Sequence, residues 1–339
     1  MKAAAFACWE TEAFCCFKIL SMPALCSATL ATMALDSPRV LVTGASGLIG
    51  RALVSSLKTR GVEVTCLVRG TPTGPDQICW DPGRSLTPES ISGFDAVVHL
   101  AGESVASRWT NDKRAKIRDS RVTGTRTLAH ALAKASKRPR VLVTSSAIGY
   151  YGDRGDEVLN EKSAPGNGFL ADVCREWEAA SQPATDAGIR TVQIRTGIVL
   201  SAEGGALKKM LPPFRMGVGG RLGSGRQWMS WIHIHDMVGA IHHAMKTDLL
   251  QGPVNLVAPK PVTNAEFTET LASVLKRPAI FPVPAFAIKT LFGQMGEEVL
   301  LASQRVEPAR LVTSGYPFQC SELRKALEDV LKKSGASRI

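Results

Sequence analysis

The sequence predicts an α/β protein with a doubly wound parallel sheet and a smaller, α-rich C-terminal region. The first observation is a β-branched run, Val40–Thr43, that leads into three glycines spaced three apart, Gly44, Gly47 and Gly50, and then into a helical pattern. The second is the alternation of strand-like and helix-like stretches over residues 39–200, which is typical of a parallel sheet with helices on both faces. After this region the alternation gives way to Gly/Pro-rich loops and helices.

Each element is expected from its local pattern of apolar residues. The expected strands of the sheet lie near residues 39–43, 62–68, 94–100, 139–145 and 189–195. The expected helices between them lie near residues 48–60, 111–136 and 169–187. Further on, the patterns predict a short strand near 229–234 and helices near 236–245, 264–276, 286–302 and 321–333. No run of about 18 apolar residues follows residue 38, so no membrane span is expected in the mature protein.

The first strand, turn and helix predict a site for the phosphates of a dinucleotide. A strand that turns tightly into a helix points backbone N–H groups and the positive end of the helix dipole at whatever lies above the turn. Glycine is needed there where φ is positive or where a Cβ would block the phosphate. An ordinary strand–turn–helix is the alternative. The expected contacts are Gly44, Ser46, Gly47, Leu48, Ile49 and Gly50.

The end of the second strand indicates which dinucleotide binds. Arg69 follows Val62–Val68 about twenty residues after the glycines, where an acidic residue normally holds the ribose hydroxyls of NAD. A guanidinium binds a 2′-phosphate that a carboxylate would repel, so the sequence predicts NADP(H). A solvated arginine at a strand end is the alternative. The turn after the third strand, Leu100-Ala101-Gly102, is expected to bring backbone close to the same cofactor.

Composition limits the classes of partner. The 339 residues carry a formal net charge of +11, but the basic residues are dispersed and form no block interleaved with aromatic residues, which argues against nucleic acid. Four of the eight cysteines lie in the first twenty-six residues, and the others have no metal-ligand spacing. We therefore expect a reducing compartment and no nucleic-acid partner.

The first 38 residues match no element of the predicted fold. They are rich in Ala, Ser, Thr and Cys and poor in acidic residues, as in an organelle transit segment. A secretory signal and an upstream start ahead of Met22 or Met33 are the alternatives, and an upstream start would leave the protein cytoplasmic. The expected organisation is a leader (1–38), a nucleotide-binding core (39–200), a substrate-side extension with returning sheet elements (201–283), a helical C-terminal domain (284–333) and a tail (334–339).

Several motifs occur together in a recognisable order. They are Thr43-Gly44-x-x-Gly47-x-x-Gly50, Leu100–Gly102, Arg108-Trp109, Ser145–Gly152, Cys174–Glu178, Ile194–Leu200, Gly219–Gly225, Trp231–Asp236 and Gly315-Tyr316-x-Phe318. This order resembles the extended short-chain dehydrogenases/reductases, and within them an atypical, epimerase-like branch. The branch includes the giant-chloroplast proteins of plants and mitochondrial relatives in mammals.

The resemblance covers residues 39–333 and carries expectations of its own. It implies a Rossmann core that binds NADP(H), with cofactor contacts at Arg121 and Val199, and a C-terminal domain characteristic of the branch. A solvated helix arginine is the alternative for Arg121. It also implies an organellar location, with the plastid favoured over the mitochondrion.

The catalytic residues of the wider superfamily are only partly matched. Those enzymes use a serine to polarise a carbonyl, a tyrosine to exchange its proton and a lysine that lowers the pKa of the tyrosine. Ser146 matches the serine, but the tyrosine and lysine positions fall on Phe169 and Val173. Because neither side chain can transfer a proton, the nearby Tyr150 and Tyr151 are the replacement candidates. Alternatively, one of them lines the pocket and the other packs in the core, and Ser146 only bonds the cofactor carboxamide or a turn.

Two other groups of polar residues have mainly structural interpretations. His233 and His235 share one face of a strand, but no third ligand is evident at a sensible spacing, so no metal is expected. Asp236 is expected to begin the next helix. Arg175 and Glu178 are three residues apart on a helix and are expected to form a surface ion pair.

Together these observations predict an NADP(H)-binding epimerase-like oxidoreductase that acts on a small oxygenated substrate. The alternative is a non-catalytic, NADP(H)-responsive regulator of plastid division or morphology that works through a protein partner. Neither the substrate, the partner nor the oligomeric state follows from the residues.

Overall fold

The computed structural model describes residues 37–336, with side chains up to residue 332. Nearly all of the predicted leader, and the last residues of the predicted tail, lie outside the described residues.

The strands of the described chain are short. They are β1 (Arg39–Thr43), β2 (Glu63–Val68), β3 (Gln77–Cys79), β4 (Ala96–His99), β5 (Val141–Ala147), β6 (Val158–Leu159), β7 (Arg190–Thr196), β8 (Ile198–Leu200), β9 (Trp228–Met229), β10 (Trp231–His233), β11 (Gly252–Leu256), β12 (Val262–Thr263) and β13 (Arg305–Val306).

The helices alternate with these strands and then dominate the C-terminal third. They are α1 (Leu48–Thr59), α2 (Asn111–Lys134), α3 (Phe169–Ala179), α4 (Gln182–Asp186), α5 (Gly205–Arg215), α6 (Ile234–Lys246), α7 (Asn264–Leu275), α8 (Ala285–Phe292), α9 (Ala309–Thr313) and α10 (Leu323–Ala336). A π-helical turn spans Gly296–Leu301. In the part of the chain that is described, none of the helices combines the length and the apolar character of a membrane span.

Seven strands form one parallel sheet in the order β11-β7-β5-β4-β1-β2-β3, which confirms the predicted fold class. The order reverses at β1, because β2 and β3 extend the sheet on one side and β4, β5, β7 and β11 on the other. In such sheets the ligand lies at the carboxyl ends of the strands beside the reversal. Two edge strands, β3 and β11, were not predicted as strands. β11 comes from the C-terminal half of the chain and returns to pair with β7.

The two faces of the sheet are covered by different helices. On β1, Val40 and Val42 pack in the cluster that contains Leu53 of α1 and Ile241 of α6. Leu41 points to the opposite face and packs in the cluster that contains Leu128 and Leu132 of α2. This alternation follows from the period of two in a strand, and it buries both faces of the sheet.

Helix α5 occupies a segment that the sequence assigned to Gly/Pro-rich loops. Pro212 and Pro213 lie inside it, where each lacks the N–H of a helical bond. The helix persists because Leu207, Leu211 and Phe214 lie on one face and are buried in a core shared with α7 and α10. Tertiary packing therefore outweighs the local cost of the prolines.

A buried carboxylate ties the C-terminal segment to the Rossmann core. Asp236 lies in the first turn of α6, whose N-cap is His233, so the expectation that Asp236 begins the helix is wrong by two residues. Its carboxylate accepts hydrogen bonds from the Tyr316 hydroxyl (3.1 Å) and from the backbone N–H groups of Gln319 (2.9 Å) and Cys320 (2.8 Å). The same tyrosine ring packs against Gly239, where an added Cβ would lie 2.4 Å from the hydroxyl.

Candidate functional site

The turn between β1 and α1 needs glycine at two positions for reasons of packing. Gly44 has φ +70°, and a Cβ there would lie 2.7 Å from the carbonyl carbon of Leu100. A Cβ on Gly50 would lie 2.2 Å from the carbonyl oxygen of Gly44. Any larger side chain at these positions would separate α1 from β1 or β1 from the loop after β4.

Gly47 has a different role. It is the N-cap of α1 in an extended conformation (φ −72°, ψ 171°), with no side-chain capping bond. A Cβ there would meet only the Gly44 carbonyl oxygen, at 3.2 Å, and otherwise open space. The helix N-terminus therefore keeps backbone N–H groups for an external anion, and the space above Gly47 is large enough for one. This cradle fits the pyrophosphate of a dinucleotide.

An open cleft of about 370 Å³ begins at this cradle and crosses the carboxyl ends of the sheet. It brings together several predicted contact residues from separate parts of the chain. Its lining consists of Gly44, Gly47, Leu48, Ile49, Gly50, Leu100, Ser145, Gly197, Ile198, Val199, Gly205 and Ala206. Ser46, Arg69, Ala101, Gly102 and Arg121 are predicted contacts that lie outside this lining.

A buried network supports the loop after β4 from below. The Thr43 hydroxyl accepts hydrogen bonds from the N–H groups of Leu100 and Ala101, both at 3.2 Å, so its own proton is donated to Nδ1 of His99 at 2.7 Å. Nε2 of His99 then carries the ring proton and donates to Thr125 at 2.9 Å. Burial lowers the pKa of His99 to about 4, which agrees with this neutral tautomer.

The buried histidines predict a loss of stability in mild acid. Burial also lowers the pKa of His242 to about 4, with smaller contributions from Arg60 and Lys246. Below the unfolded-state pKa of 6.5, these histidines bind protons in the unfolded chain but stay neutral in the folded chain. The free energy of unfolding therefore falls as the pH falls. Between about pH 7 and pH 5 we expect a loss of about 2 kcal/mol for each histidine. Urea unfolding at a series of pH values measures the free energy of unfolding of the wild type and of His99→Gln. The loss should be smaller in the variant, and an equally steep pH dependence of its free energy of unfolding would contradict the prediction.

Arg69 lies beside the cradle at the end of β2. Thr43 pairs with Leu67, so Arg69 follows the strand at the level of the glycine turn, and its side chain is exposed. The pKa of Glu103 is lowered chiefly by a hydrogen bond from Lys113, against an opposing effect of burial, and Arg69 contributes a further lowering charge. Arg69 is therefore close enough to the loop after β4 for its charge to act on Glu103, while its contact with the cofactor remains a prediction.

Arg121 supports the same loop. Its Nη1 donates to the carbonyl oxygens of Glu103 (2.9 Å) and Ile117 (3.2 Å), and its guanidinium lies 5.0 Å from the ring centroid of Trp177. A Cβ on Gly102 would lie 3.4 Å from the guanidinium carbon. The solvated-arginine alternative is therefore wrong, since the side chain braces the loop, while its direct contact with the cofactor remains a prediction.

The serine prediction needs correction. Ser146 is 3% exposed and donates to Glu178 at 2.6 Å, on the face of β5 that packs against α3. Successive residues of a strand point to opposite faces, so its neighbour Ser145 points into the cleft. The sequence contains two adjacent serines, and the register that decides between them is a property of the sheet.

Tyr151 does not line the cleft either. Its side chain is fully buried, and its hydroxyl donates to Asn255 (2.7 Å) and accepts from Arg195 (3.0 Å). Desolvation raises the pKa of Tyr151, against the lowering effect of Arg195. A proton-transfer role for Tyr151 is therefore not supported, because its hydroxyl has two buried partners and no exposed surface.

Tyr150 is only partly buried and packs against a cation. The guanidinium of Arg195 lies 3.5 Å from the ring centroid of Tyr150. The same arginine forms a two-point ion pair with Glu178, at 2.8 Å for both contacts. Glu178 pairs with Arg195, whereas Arg175 pairs with Asp172, so the expected Arg175–Glu178 ion pair is wrong. Sequence reasoning missed this network, although a charged residue inside the buried strand β7 was a signal for it.

Apolar residues that pack against the protein occupy the positions where the wider superfamily has its catalytic tyrosine and lysine. Phe169 lies at the start of α3, with its ring 5.2 Å from that of Trp109. Val173 is 1% exposed. The N-terminus of α3 is capped by a residue from the C-terminal segment, since the Glu298 carboxylate accepts from the N–H groups of Phe169 (3.0 Å) and Leu170 (2.8 Å). This charge-assisted cap was not predicted.

The tertiary structure adds a third polar group to the two histidines. Asp329 of α10 brings its carboxylate to within 4.8 Å of ligand atoms of His233 and His235, and this third candidate ligand was not evident from the spacing of residues in the sequence. Nδ1 of His233 accepts the N–H of His235 at 3.1 Å, and Nε2 lies 3.1 Å from Asp329. With Nδ1 as an acceptor, the ring proton is on Nε2, which lies at ion-pair distance from an Asp329 carboxylate oxygen. The expected absence of a metal here stays a prediction.

The reversed parallel sheet, the glycine cradle and the cleft at the strand ends define a dinucleotide-binding protein of the extended short-chain dehydrogenase/reductase class. The chain belongs to the NAD dependent epimerase/dehydratase family, whose model matches residues 40–256. Residues 283–330 match a second model, described as a domain of unknown function (DUF1731).

Relatives from distant organisms share nearly the whole described chain. An epimerase family protein of Mycobacterium bovis is 42% identical over 290 residues, covering 85% of this chain and 96% of the relative. The Arabidopsis thaliana protein named "Epimerase family protein SDR39U1 homolog, chloroplastic" is 40% identical and covers 86% of each chain. The crystal structure of human SDR39U1 with NADPH superposes with a TM-score of 0.80 at 37% identity, covering 87% of this chain and 99% of the human one.

Proposed function

We propose that this chain binds NADP(H) and carries out a reduction or epimerisation of a small oxygenated substrate. The observation that carries the proposal is the open cradle over Gly47, which leads into a cleft lined by Leu100, Ser145 and Val199. The NADPH in the human crystal structure supports the choice of cofactor. When bound, NADP(H) supplies or removes a hydride at a substrate carbon.

The choice of NADP(H) over NAD(H) rests on Arg69, and it predicts a reversal of preference. Arg69→Asp removes a charge-assisted phosphate contact and adds a repelling carboxylate. We expect NADPH to bind about thirtyfold more weakly, a loss of about 2 kcal/mol, while NADH binds as well or better. Calorimetry with both cofactors measures the change.

Arg60→Asp is the matched control, because this exposed arginine lies at the opposite end of α1 from the cradle. It should leave both affinities unchanged. Equal affinity of the wild-type chain for NADPH and NADH would overturn the assignment of Arg69.

The chain's own residues suggest how an oxygen on the substrate could be handled. Ser145 points into the cleft and can donate a hydrogen bond to a carbonyl oxygen. Tyr150 is the remaining phenol for proton exchange, with its ring held by the guanidinium of Arg195 at 3.5 Å. Glu178 fixes that guanidinium, so Ser146 and Glu178 are positioning residues in this proposal.

The proposed role of Tyr150 predicts a specific loss of rate. In a screen of aldehydes, ketones and quinones that follows NADPH absorbance, any substrate turned over by the wild type should react about 10² to 10⁴ times more slowly with Tyr150→Phe. NADPH affinity should not change. Tyr151→Phe is the control: it loses the two buried hydrogen bonds of the hydroxyl, with Asn255 and with Arg195, so its stability should fall while its rate is retained. The opposite pattern between the two variants would exclude Tyr150 as the proton-transfer group.

The replacement of the proton-handling pair favours a second candidate function, a non-catalytic NADP(H)-responsive regulator in plastid division or morphology. Phe169 and Val173 support this alternative, because both side chains pack against other residues and neither has a group that can donate or accept a proton. Substrate-dependent oxidation of NADPH separates the two functions. The chloroplastic Arabidopsis relative supports a plastid location, with residues 1–38 as the transit segment.

A further inference from the structure

The C-terminal half of the chain carries a group of exposed apolar side chains that the cofactor site does not explain. Six of them form what we call the apolar patch, each between 51% and 72% exposed: Met216, Val218, Ile280, Phe281, Phe286 and Leu291. Isolated exposed apolar residues are ordinary, whereas a contiguous group indicates an interaction surface.

Backbone contacts bring the parts of the patch together. The segment after α5 runs beside residues 278–283, since Gly223 donates to the Val283 carbonyl (2.8 Å) and Val283 donates to the Arg221 carbonyl (2.9 Å). A Cβ on Gly220 would lie 1.9 Å from the carbonyl oxygen of Phe281. The two segments are thus in direct contact, and α8 begins two residues after Val283.

Helix α8 is unusual in how little of its apolar surface it buries. Six of its eight residues, in the sequence AFAIKTLF, are apolar, yet Ile288 is the one that is buried. Ile288 packs towards Gly296 of the π-helical turn, while Phe286 and Leu291 remain 72% and 63% exposed. Phe286 lies on the opposite side of the helix from Ile288, whereas Leu291, three residues after Ile288, lies beside it. The helix is therefore anchored at Ile288 and exposes large apolar side chains over much of its remaining surface.

The charged residues within the two chain segments that carry the patch all have the same sign. Residues 205–226 and 276–292 contain eight basic residues and no acidic residue: Lys208, Lys209, Arg215, Arg221, Arg226, Lys276, Arg277 and Lys289. All eight are exposed. Among the ion pairs of the described residues, the pair of Lys289 with Glu297 is the one that involves any of them. These two segments therefore contribute eight positive charges and no negative charge to a chain whose net charge is +11.

We infer that this face binds the surface of an anionic lipid bilayer, with the apolar patch inserted among the headgroups and the basic residues on lipid phosphates. Apolar side chains surrounded by Lys and Arg are the combination that interfacial membrane binding requires. A second copy of the chain fits the face poorly, because a two-fold contact would place like charges opposite each other. Binding of this kind needs no membrane-spanning helix.

The test is flotation of the full chain with phosphatidylcholine vesicles that contain about 30% phosphatidylglycerol, compared with vesicles of phosphatidylcholine alone. We expect binding to the anionic vesicles only, and release at about 0.5 M salt. Arg215→Glu with Arg277→Glu should weaken binding by at least about twentyfold, since each Lys or Arg near an anionic surface contributes about fivefold. Phe281→Ser with Phe286→Ser should weaken it by about tenfold or more.

Matched controls change the same residue types elsewhere. Lys162→Glu with Lys246→Glu reverses two exposed charges outside the two segments, and Leu249→Ser removes an apolar side chain that is 84% exposed. These variants should bind vesicles as the wild type does, and all variants should keep wild-type NADPH affinity, which keeps this test independent of the cofactor proposal. Equal binding to both vesicle types, or no vesicle binding at all, would overturn the inference, and the latter would leave an acidic protein as the occupant.

Discussion

Gly47→Val is expected to abolish NADPH binding while the protein still folds. The backbone of Gly47 (φ −72°, ψ 171°) suits valine, and an added Cβ meets only one protein atom, at 3.2 Å. The branched side chain would instead occupy the open space that we assign to the pyrophosphate. Loss of the phosphate contacts at the helix N-terminus should weaken binding by about a thousandfold or more, about 4 kcal/mol.

Circular dichroism and calorimetry of three glycine variants test this expectation. Gly83→Val changes an exposed loop glycine with negligible steric conflict and should bind NADPH as the wild type does. Gly50→Val should fail to fold, because its Cβ would lie 2.2 Å from the Gly44 carbonyl oxygen. A folded Gly47→Val protein with unchanged NADPH affinity would place the phosphates elsewhere.

Glu178→Ala is expected to destabilise the fold by about 3 to 5 kcal/mol, because it leaves the guanidinium of Arg195 buried without its counter-ion. The side chains of Arg195 and Glu178 are 3% and 14% exposed, so water screens the pair weakly. Burial alone would lower the pKa of Arg195, but hydrogen bonds and charge from Glu178 raise it above its ordinary value, so Arg195 stays charged. Ser146 would lose its acceptor as well.

Arg175→Ala on the same helix is the control. Its ion pair with Asp172 is about half exposed, and such pairs contribute about 0 to 1 kcal/mol. Urea unfolding measures both variants, and Glu178→Ala combined with Arg195→Met should recover part of the lost stability because no charge is then left unpaired. If Glu178→Ala costs no more than the control, the buried pair does not stabilise this end of the sheet.

Local pattern was sufficient for most of the nucleotide-binding half of the fold, although it missed the short edge strand β3. β1, the glycine turn and α1 are contiguous in sequence, so Gly44, Gly47 and Gly50 identify the cradle directly. The first and third leave no room for a Cβ, and the second leaves open space at the helix N-terminus. The alternation of buried strands and amphipathic helices likewise determines a parallel sheet, because a period of two and a period of 3.6 can be read from neighbouring residues. The same pattern failed at α5, where Pro212 and Pro213 hide a helix that tertiary packing stabilises.

The reaction side of the cleft was decided by contacts between residues far apart in sequence. Ser145 and Ser146 have the same chemistry, and only the register of β5 in the sheet turns one to the cleft and the other to Glu178. Arg195 contacts Tyr150 and Glu178 because β7 lies beside β5 and α3 packs over these two strands. No local pattern specifies such a pair, since its energy depends on burial and on charges that meet only after the sheet has formed.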